Sequence, residues 1–261
     1  RHYNTQAAIC SGTGAIMLYL IIIGVIILML FYLFKGNLAK PKIDPQNPEQ
    51  KAQMFEKFEK RLNSGHFDKT VPINYGYYLM LDGETEKARQ VINRVFELKN
   101  IKEQDNYQAR LFLALCEYID GNYDEALRQF NVVMEHGESS DCYASMGLIY
   151  LKKGDLKAAL KLNQKAYEYN EDSDAICDNL GTTYYQMGDK ENAKKIYEGL
   201  FSKKRPALPE CYYHYALIKL DEGDSDWARD LLKTAAKFHF DRLSAVPRSD
   251  VVALLKKLDE E

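Results

Sequence analysis

Apolar residues in this 261-residue chain follow two patterns. From Ala15 to Phe34 (AIMLYLIIIGVIILMLFYLF), twenty consecutive positions carry no charge and only Tyr19 and Tyr32 carry a polar atom. Coiled into a helix at about 1.5 Å per residue, such a run spans about 30 Å, the thickness of a bilayer's hydrocarbon core. Beyond it, apolar residues recur three and four positions apart, in segments separated by glycine, the spacing that puts them on one helix face. The pattern predicts an all-α chain in which a single N-terminal transmembrane helix, residues 15–34, precedes a body of amphipathic helices.

The body is periodic. Gly83, Gly121, Gly154, Gly188 and Gly223 are each followed five residues later by alanine: Ala88, Ala126, Ala159, Ala193 and Ala228. Apolar positions at helical spacing flank every glycine, so each unit reads as a helix, a tight turn and a second helix. Glycine enters the left-handed region needed to end a helix without steric cost. Asn122, Asp155, Asp189 and Asp224, each next to its glycine, are expected to cap the helix that follows. The alanine marks a close approach of the paired helices, where a larger side chain would push them apart.

These residues resemble the tetratricopeptide repeat, whose pattern places a bulky residue before Leu-Gly and then Tyr, with small and aromatic positions further on. Tyr143-x2-Met146-Gly147-x2-Tyr150 with Ala159 and Ala166, and Cys177-x2-Leu180-Gly181-x2-Tyr184 with Ala193 and Tyr197, carry the resemblance most fully. Looser copies keep Tyr75-Gly76 and Ala88; Leu113-Ala114, Ala126 and Phe130; and Tyr212, Tyr215-Ala216, Ala228 and Ala235. Asn163 departs from the pattern, standing where an aromatic residue is expected. The resemblance implies a right-handed helical solenoid of about five repeats over residues 69–240.

Around that body, residues 1–14 read as a short extracytoplasmic tail and 35–47, with Pro41 and Pro45, as a stiff linker. Residues 48–68 hold an amphipathic capping helix with Met54, Phe55, Phe58 and Leu62 on one face; residues 241–261 hold a second capping helix, N-capped by Ser249. Lys35, Lys40 and Lys42 follow the span, against Arg1 alone before it. Positive flanks stay cytoplasmic, so the sequence predicts a single-pass membrane protein with its N-terminus outside and its repeats in the cytoplasm. The apolar run is too long for a secretory signal peptide, and small residues at its cleavage positions are missing.

Residues 35–261 carry 34 Lys and Arg against 38 Asp and Glu, without a basic run, which argues against a nucleic-acid surface. Five scattered cysteines without paired spacing do not form a disulfide framework. Cys211 and His214 are one helical turn apart, half of a zinc site with no second half in view. No phosphate-binding loop, zinc-protease motif, nucleophile elbow or dinucleotide fingerprint is present. The sequence therefore predicts no enzyme and no cofactor.

In the resembled family the first helix of each pair lines a concave groove, its inward positions falling ten, six and three residues before the turn glycine. Here these are Ile73, Tyr77, Met80; Leu111, Leu115, Tyr118; Ala144, Leu148, Leu151; Asp178, Thr182, Tyr185; and Tyr213, Leu217, Leu220. All but Asp178 and Thr182 are apolar or aromatic, suiting an amphipathic helix or an extended apolar peptide. Asp141, Asp178 and Glu210 would favour a basic partner. Family members that grip acidic chaperone tails present Lys, Asn or Arg at inner positions held here by Ile73, Tyr77, Phe112, Ser145 and Asp141, so such a carboxylate clamp is not expected.

The groove candidates are Tyr77, Met80, Leu111, Leu115, Tyr118, Leu148, Leu151, Asp178, Tyr185, Tyr213 and Leu217. The function they imply is a scaffold recruiting partner proteins at the cytoplasmic membrane face, with lipid met through residues 15–34. The alternatives are an import receptor for amphipathic presequences and a non-catalytic subunit of a membrane complex. Two other readings of the stripe stay open: that it packs helix on helix, and that the 48–63 helix fills the groove.

Overall fold

The computed structural model describes residues 47–260 except His136; the tail and span expected over residues 1–34 and nearly all of the linker lie outside the described residues. Among the described residues there are twelve α-helices and no strand, and no helix is long and apolar enough to cross a membrane. The helices are α1 (Pro48–Asn63), α2 (Thr70–Asp82), α3 (Thr85–Asn93), α4 (Glu103–Ile119), α5 (Tyr123–Met134) and α6 (Ser140–Lys153). Then come α7 (Leu156–Tyr169), α8 (Asp174–Gln186), α9 (Lys190–Lys203), α10 (Pro209–Asp221), α11 (Ser225–Ala235) and α12 (Arg248–Glu260).

The chain divides into a unit ending at Lys57 and a unit from Phe58 onward. In the first, the Asn47 side chain accepts from the amides of Glu49 and Gln50, capping α1. The second holds the repeats, five helix pairs (α2/α3, α4/α5, α6/α7, α8/α9, α10/α11) in which each helix packs on its partner and each outer helix on the helix that follows it. Inner helices also touch one another, α2 with α4, α6 with α8 and α8 with α10. At the start of this unit Phe58 stacks on Tyr75, ring centroids 5.4 Å apart, and Glu59 accepts hydrogen bonds from the Tyr75 hydroxyl and from Lys87.

All five turn glycines are left-handed, with φ between +77° and +86°. The caps that follow are selective. Asp155, Asp189 and Asp224 accept from the amides of Ala158, Asn192 and Trp227. Asn122 does not cap; its side chain donates instead to Glu117, leaving the start of α5 to backbone bonds alone. The five alanines are fully buried.

A second spacing sets how closely the paired helices approach. A small residue on each inner helix is followed sixteen positions on by a buried residue of the outer helix: Gly76 and Ile92, Ala114 and Phe130, Gly147 and Asn163, Gly181 and Tyr197, Ala216 and Leu232. At Gly181 a Cβ would lie 2.6 Å from the Tyr197 ring, and at Gly76 one would lie 2.3 Å from Ile92. Asn163 fills the aromatic position with a polar rung. Its side-chain amide donates to Thr183 Oγ1 at 3.0 Å, and Asn179 donates to the carbonyl of Ala144. These bonds satisfy the buried amide nitrogens of Asn163 and Asn179, while Asn163 Oδ1 has no hydrogen-bond partner among the described residues.

The C-terminal end departs from the sequence expectation. Residues 241–247 are irregular rather than helical, and α12 begins at Arg248 behind Pro247, which places Ser249 inside its first turn rather than at its cap. Val251 and Leu258 of α12 are buried, together with Val246, in the cluster formed by α10 and α11.

The close approach gives a paired test. Gly181→Ala should destabilise the body by about 1–3 kcal/mol, because Tyr197 is fully buried and hydrogen-bonded and cannot give way. Gly199→Ala, in the exposed middle of α9 with open space around its Cβ, should stabilise by about 0.5–1 kcal/mol. Urea midpoints of the two variants moving in the same direction would show that the helix spacing is not set at Gly181.

Candidate functional site

The inner helices α2, α4, α6, α8 and α10 carry the stripe, and its members fall into two groups. Tyr77, Leu111, Leu115, Tyr118, Leu148, Leu151, Tyr185, Tyr213 and Leu217 are half-buried, with part of each side chain accessible. Met80 is fully buried and Asp178 is 3% exposed, as Ile73, Ala144 and Thr182 are also buried. The buried ones turn between helices: an inner helix that touches both its partner and the next inner helix leaves only part of its circumference open.

The accessible row is aromatic at its ends. The rings of Tyr77 and Phe112 lie 5.3 Å apart across the first and second pairs, and Tyr118 stands 5.9 Å from Tyr123. Tyr185 donates to Asp221 across the fourth and fifth pairs. Burial pushes the phenol of Tyr118 up to about 12, and burial with the Asp221 carboxylate does the same for Tyr185. Both stay neutral near pH 7, amphipathic contact groups rather than charges.

Asp178 is the centre of a buried polar cluster. Its carboxylate accepts from the Tyr197 hydroxyl at 2.8 Å and lies 2.9 Å from His214 Nδ1; Thr182 Oγ1 is 2.9 Å from the same nitrogen. Burial first, and then the Asp178 charge, hold the Tyr197 phenol far above its ordinary range. The carboxylate thus ties α8 to both α9 and α10. His214 turns toward Asp178 while Cys211 is buried, its thiol directed at the carbonyl of Asp174. The two do not form a site together, and among the described residues no group of three or more His, Cys, Asp or Glu is placed to hold a metal. Cys116, Cys142, Cys177 and Cys211 are all buried free thiols, with burial raising each above the ordinary thiol range.

The inner helices have a neighbour that the sequence reading did not include. Residues 241–246, the strap between α11 and α12, reach the inner helices of the first, third and fifth pairs. Arg242 lies against Gly83 at the end of α2, where an added Cβ would come within 2.9 Å of Nε. Ala245 is held at both backbone groups: its carbonyl accepts from Lys152 Nζ at 2.6 Å and its N–H donates to Glu210 Oε1 at 2.9 Å. The strap is folded on itself, with the Asp241 side chain accepting from the Leu243 amide and Ser244 Oγ accepting from the Asp241 amide. Beside Ala245 a cleft of about 120 Å³ remains, lined by Leu148, Leu151, Lys152, Asp178, Thr182 and His214 among others. From the part of α1 in the second unit, Phe58 lies against the rings of Tyr75 and Tyr78.

Two segments, residues 140–173 and 175–202, match one tetratricopeptide-repeat family model, and residues 76–134 match another. Residues 76–134, 140–173 and 175–202 thus read as tetratricopeptide repeats. The fifth pair, α10/α11, lies beyond the matched tetratricopeptide segments but repeats their glycine turn and buried alanine. A tetratricopeptide repeat protein from Parabacteroides merdae has a similar structure, with a TM-score of 0.65 at 16% identity, over 88% of this chain and 90% of that one. A thermophilic tetratricopeptide protein of Thermus thermophilus aligns with a TM-score of 0.58 at 17% identity, over 74% of this chain and all of the other. In sequence, BBSome complex member BBS4 of Bos taurus is 27% identical over 115 residues, 44% of this chain. The match takes in only 21% of that relative's length.

Glu210 supplies a pH test. Burial raises its carboxyl above the ordinary 4.5, and its second oxygen, Oε2, has no partner among the described residues. A carboxyl whose folded value is raised contributes stability that is present below 4.5 and lost as pH rises through the folded value. Glu210→Gln keeps an acceptor for Ala245 but does not titrate. The stability of the native chain relative to this variant should therefore fall as pH rises across the carboxylate range. Parallel urea-midpoint profiles for the two proteins would show that Glu210 is not titrating in a buried position.

Proposed function

We propose that this protein is a membrane-anchored interaction scaffold: residues 15–34 span the bilayer, the repeats face the cytoplasm, and the inner stripe holds a partner protein. The observation that carries the reading is the row of half-exposed leucines and tyrosines repeated over successive inner helices, from Tyr77 through Leu148 and Leu151 to Tyr213 and Leu217. A partner segment running along the repeats would touch several of them, and buried aromatic anchors supply much of the affinity in such contacts. Glu210 and the exposed Asp141 beside the groove favour a partner with basic residues. The resemblance to a protein named as a complex member, BBS4, supports an assembly role. Positions at which a carboxylate clamp would need cations are held by Tyr77, Phe112 and Asp141, which supports a partner other than an acidic chaperone tail.

The anchor and the groove are tested separately. Deleting residues 15–34 should move the chain from the membrane pellet to the supernatant, and protease added outside sealed cells should spare the repeats of the intact protein. Digestion of the repeats from outside would reverse the orientation. For the groove, Leu151→Ser with Tyr185→Ser should weaken capture of the membrane-cross-linked partner more than tenfold, or by more than about 1.4 kcal/mol. Helicity should be retained. Full capture by a folded double variant would move recognition to the convex face or the turns.

A further inference from the structure

The strap grips the groove through the backbone of one residue. Lys152 donates to the Ala245 carbonyl and Glu210 accepts from the Ala245 amide, at 2.6 and 2.9 Å. These two partners come from α6 and α10, on either side of the fourth repeat. A residue inside an α-helix has both of these groups committed to its own helix, so the pair of contacts fits only a non-helical segment. Neither contact reads the alanine side chain. Three residues earlier, Arg242 sets its guanidinium against the carbonyl end of α2 at Gly83, where a helix carries partial negative charge. Burial of Val246 in the core fixes one end of the strap, and the fold of α11 fixes the other.

We propose that residues 241–246 are a built-in stand-in for the partner, and that the groove takes a non-helical peptide segment of the partner protein that carries one basic residue. That segment would displace the strap and put its own backbone between Lys152 and Glu210. The inference rests on the scaffold reading above and narrows it: it selects a non-helical peptide over the amphipathic helix. The basic residue sits at the position of Arg242, and a small residue occupies that of Ala245, beside the cleft at Leu148 and Leu151. Being tethered at both ends, the strap competes at an effective concentration of roughly millimolar, so the resting groove is closed to weak ligands and opens to a better one.

The test uses the full chain in detergent and, as probe, a synthetic peptide with the sequence of residues 240–247 (FDRLSAVP). Hydrogen exchange should find the amide of Ala245, bonded to Glu210, protected in the resting chain and losing that protection as the peptide is raised through the roughly millimolar range. The same peptide methylated on the nitrogen of its alanine lacks the donor for Glu210 and should leave the strap in place. A protein variant with Arg242→Glu and Leu243→Ser, which loosens the strap and leaves the inner helices untouched, should bind the unmodified peptide about tenfold more tightly or better. Strap protection unchanged at saturating peptide, or displacement by the methylated peptide as effective as by the plain one, overturns the proposal. The exchange experiment on the native chain decides the matter even if the loosened variant fails to fold. Partner capture that depends on Leu151 and Tyr185, in a chain whose strap no peptide displaces, would retain the groove and discard the stand-in.

Discussion

The approach of the two helices in each repeat, closed to contact by a small inner residue against a buried outer one, is the constraint on which the rest of the structure depends. Gly181 against Tyr197 is its clearest instance: there is no room for a single added carbon, and the ring cannot retreat because it is fully buried and bonded to Asp178. With the pair held that close, the inner helix has only a narrow free face. Residues such as Met80 and Ile73 are consumed in packing, while Tyr77, Leu148 and Leu151 keep part of their surface. The accessible face is what packing leaves over.

Polarity inside the body follows from the same closeness. Asn163 replaces the aromatic residue in the third repeat, and its amide is accommodated by a rung of Thr183 and Asn179. In the next repeat Asp178 reaches Tyr197 and His214 in the same region of the stack. Polar contacts of this kind are worth little net when satisfied and cost heavily when broken, so they specify how neighbouring repeats are seated more than they add to stability. The strap exploits that seating: Lys152 and Glu210 meet one alanine only because the third and fifth repeats are held in a fixed relation.

Much of the fold was legible in the sequence because it rests on local rules repeated at a period. Glycine at the turns and alanine five residues on are needed wherever two helices meet at a tight turn, and all ten residues take the predicted places. The inner stripe was legible as a face but not as a surface. Sequence spacing puts Met80 and Tyr77 on the same side of α2, and only the packing of the neighbouring helix separates the buried residue from the half-exposed one. The cap at Asn122 was misread because Glu117 competes for the same side chain. The strap was missed for a different reason. Phe240, Leu243 and Val246 have no helical period of their own, and the strap is placed by contacts of Arg242 and Ala245 with residues from 35 to more than 150 positions away.

The account's central claim is that the inner face of the repeats is a binding face already holding a segment of its own chain. A photo-activated cross-linker at Leu148, in the full chain in its native membrane, tests it most directly. The account predicts an intramolecular product joining position 148 to residues 241–246, and a loss of that product, in favour of an intermolecular one, when a partner is bound. A cross-linker at Leu148 that never reaches the strap, or a strap product whose yield does not change while a partner is captured elsewhere on the body, would contradict it.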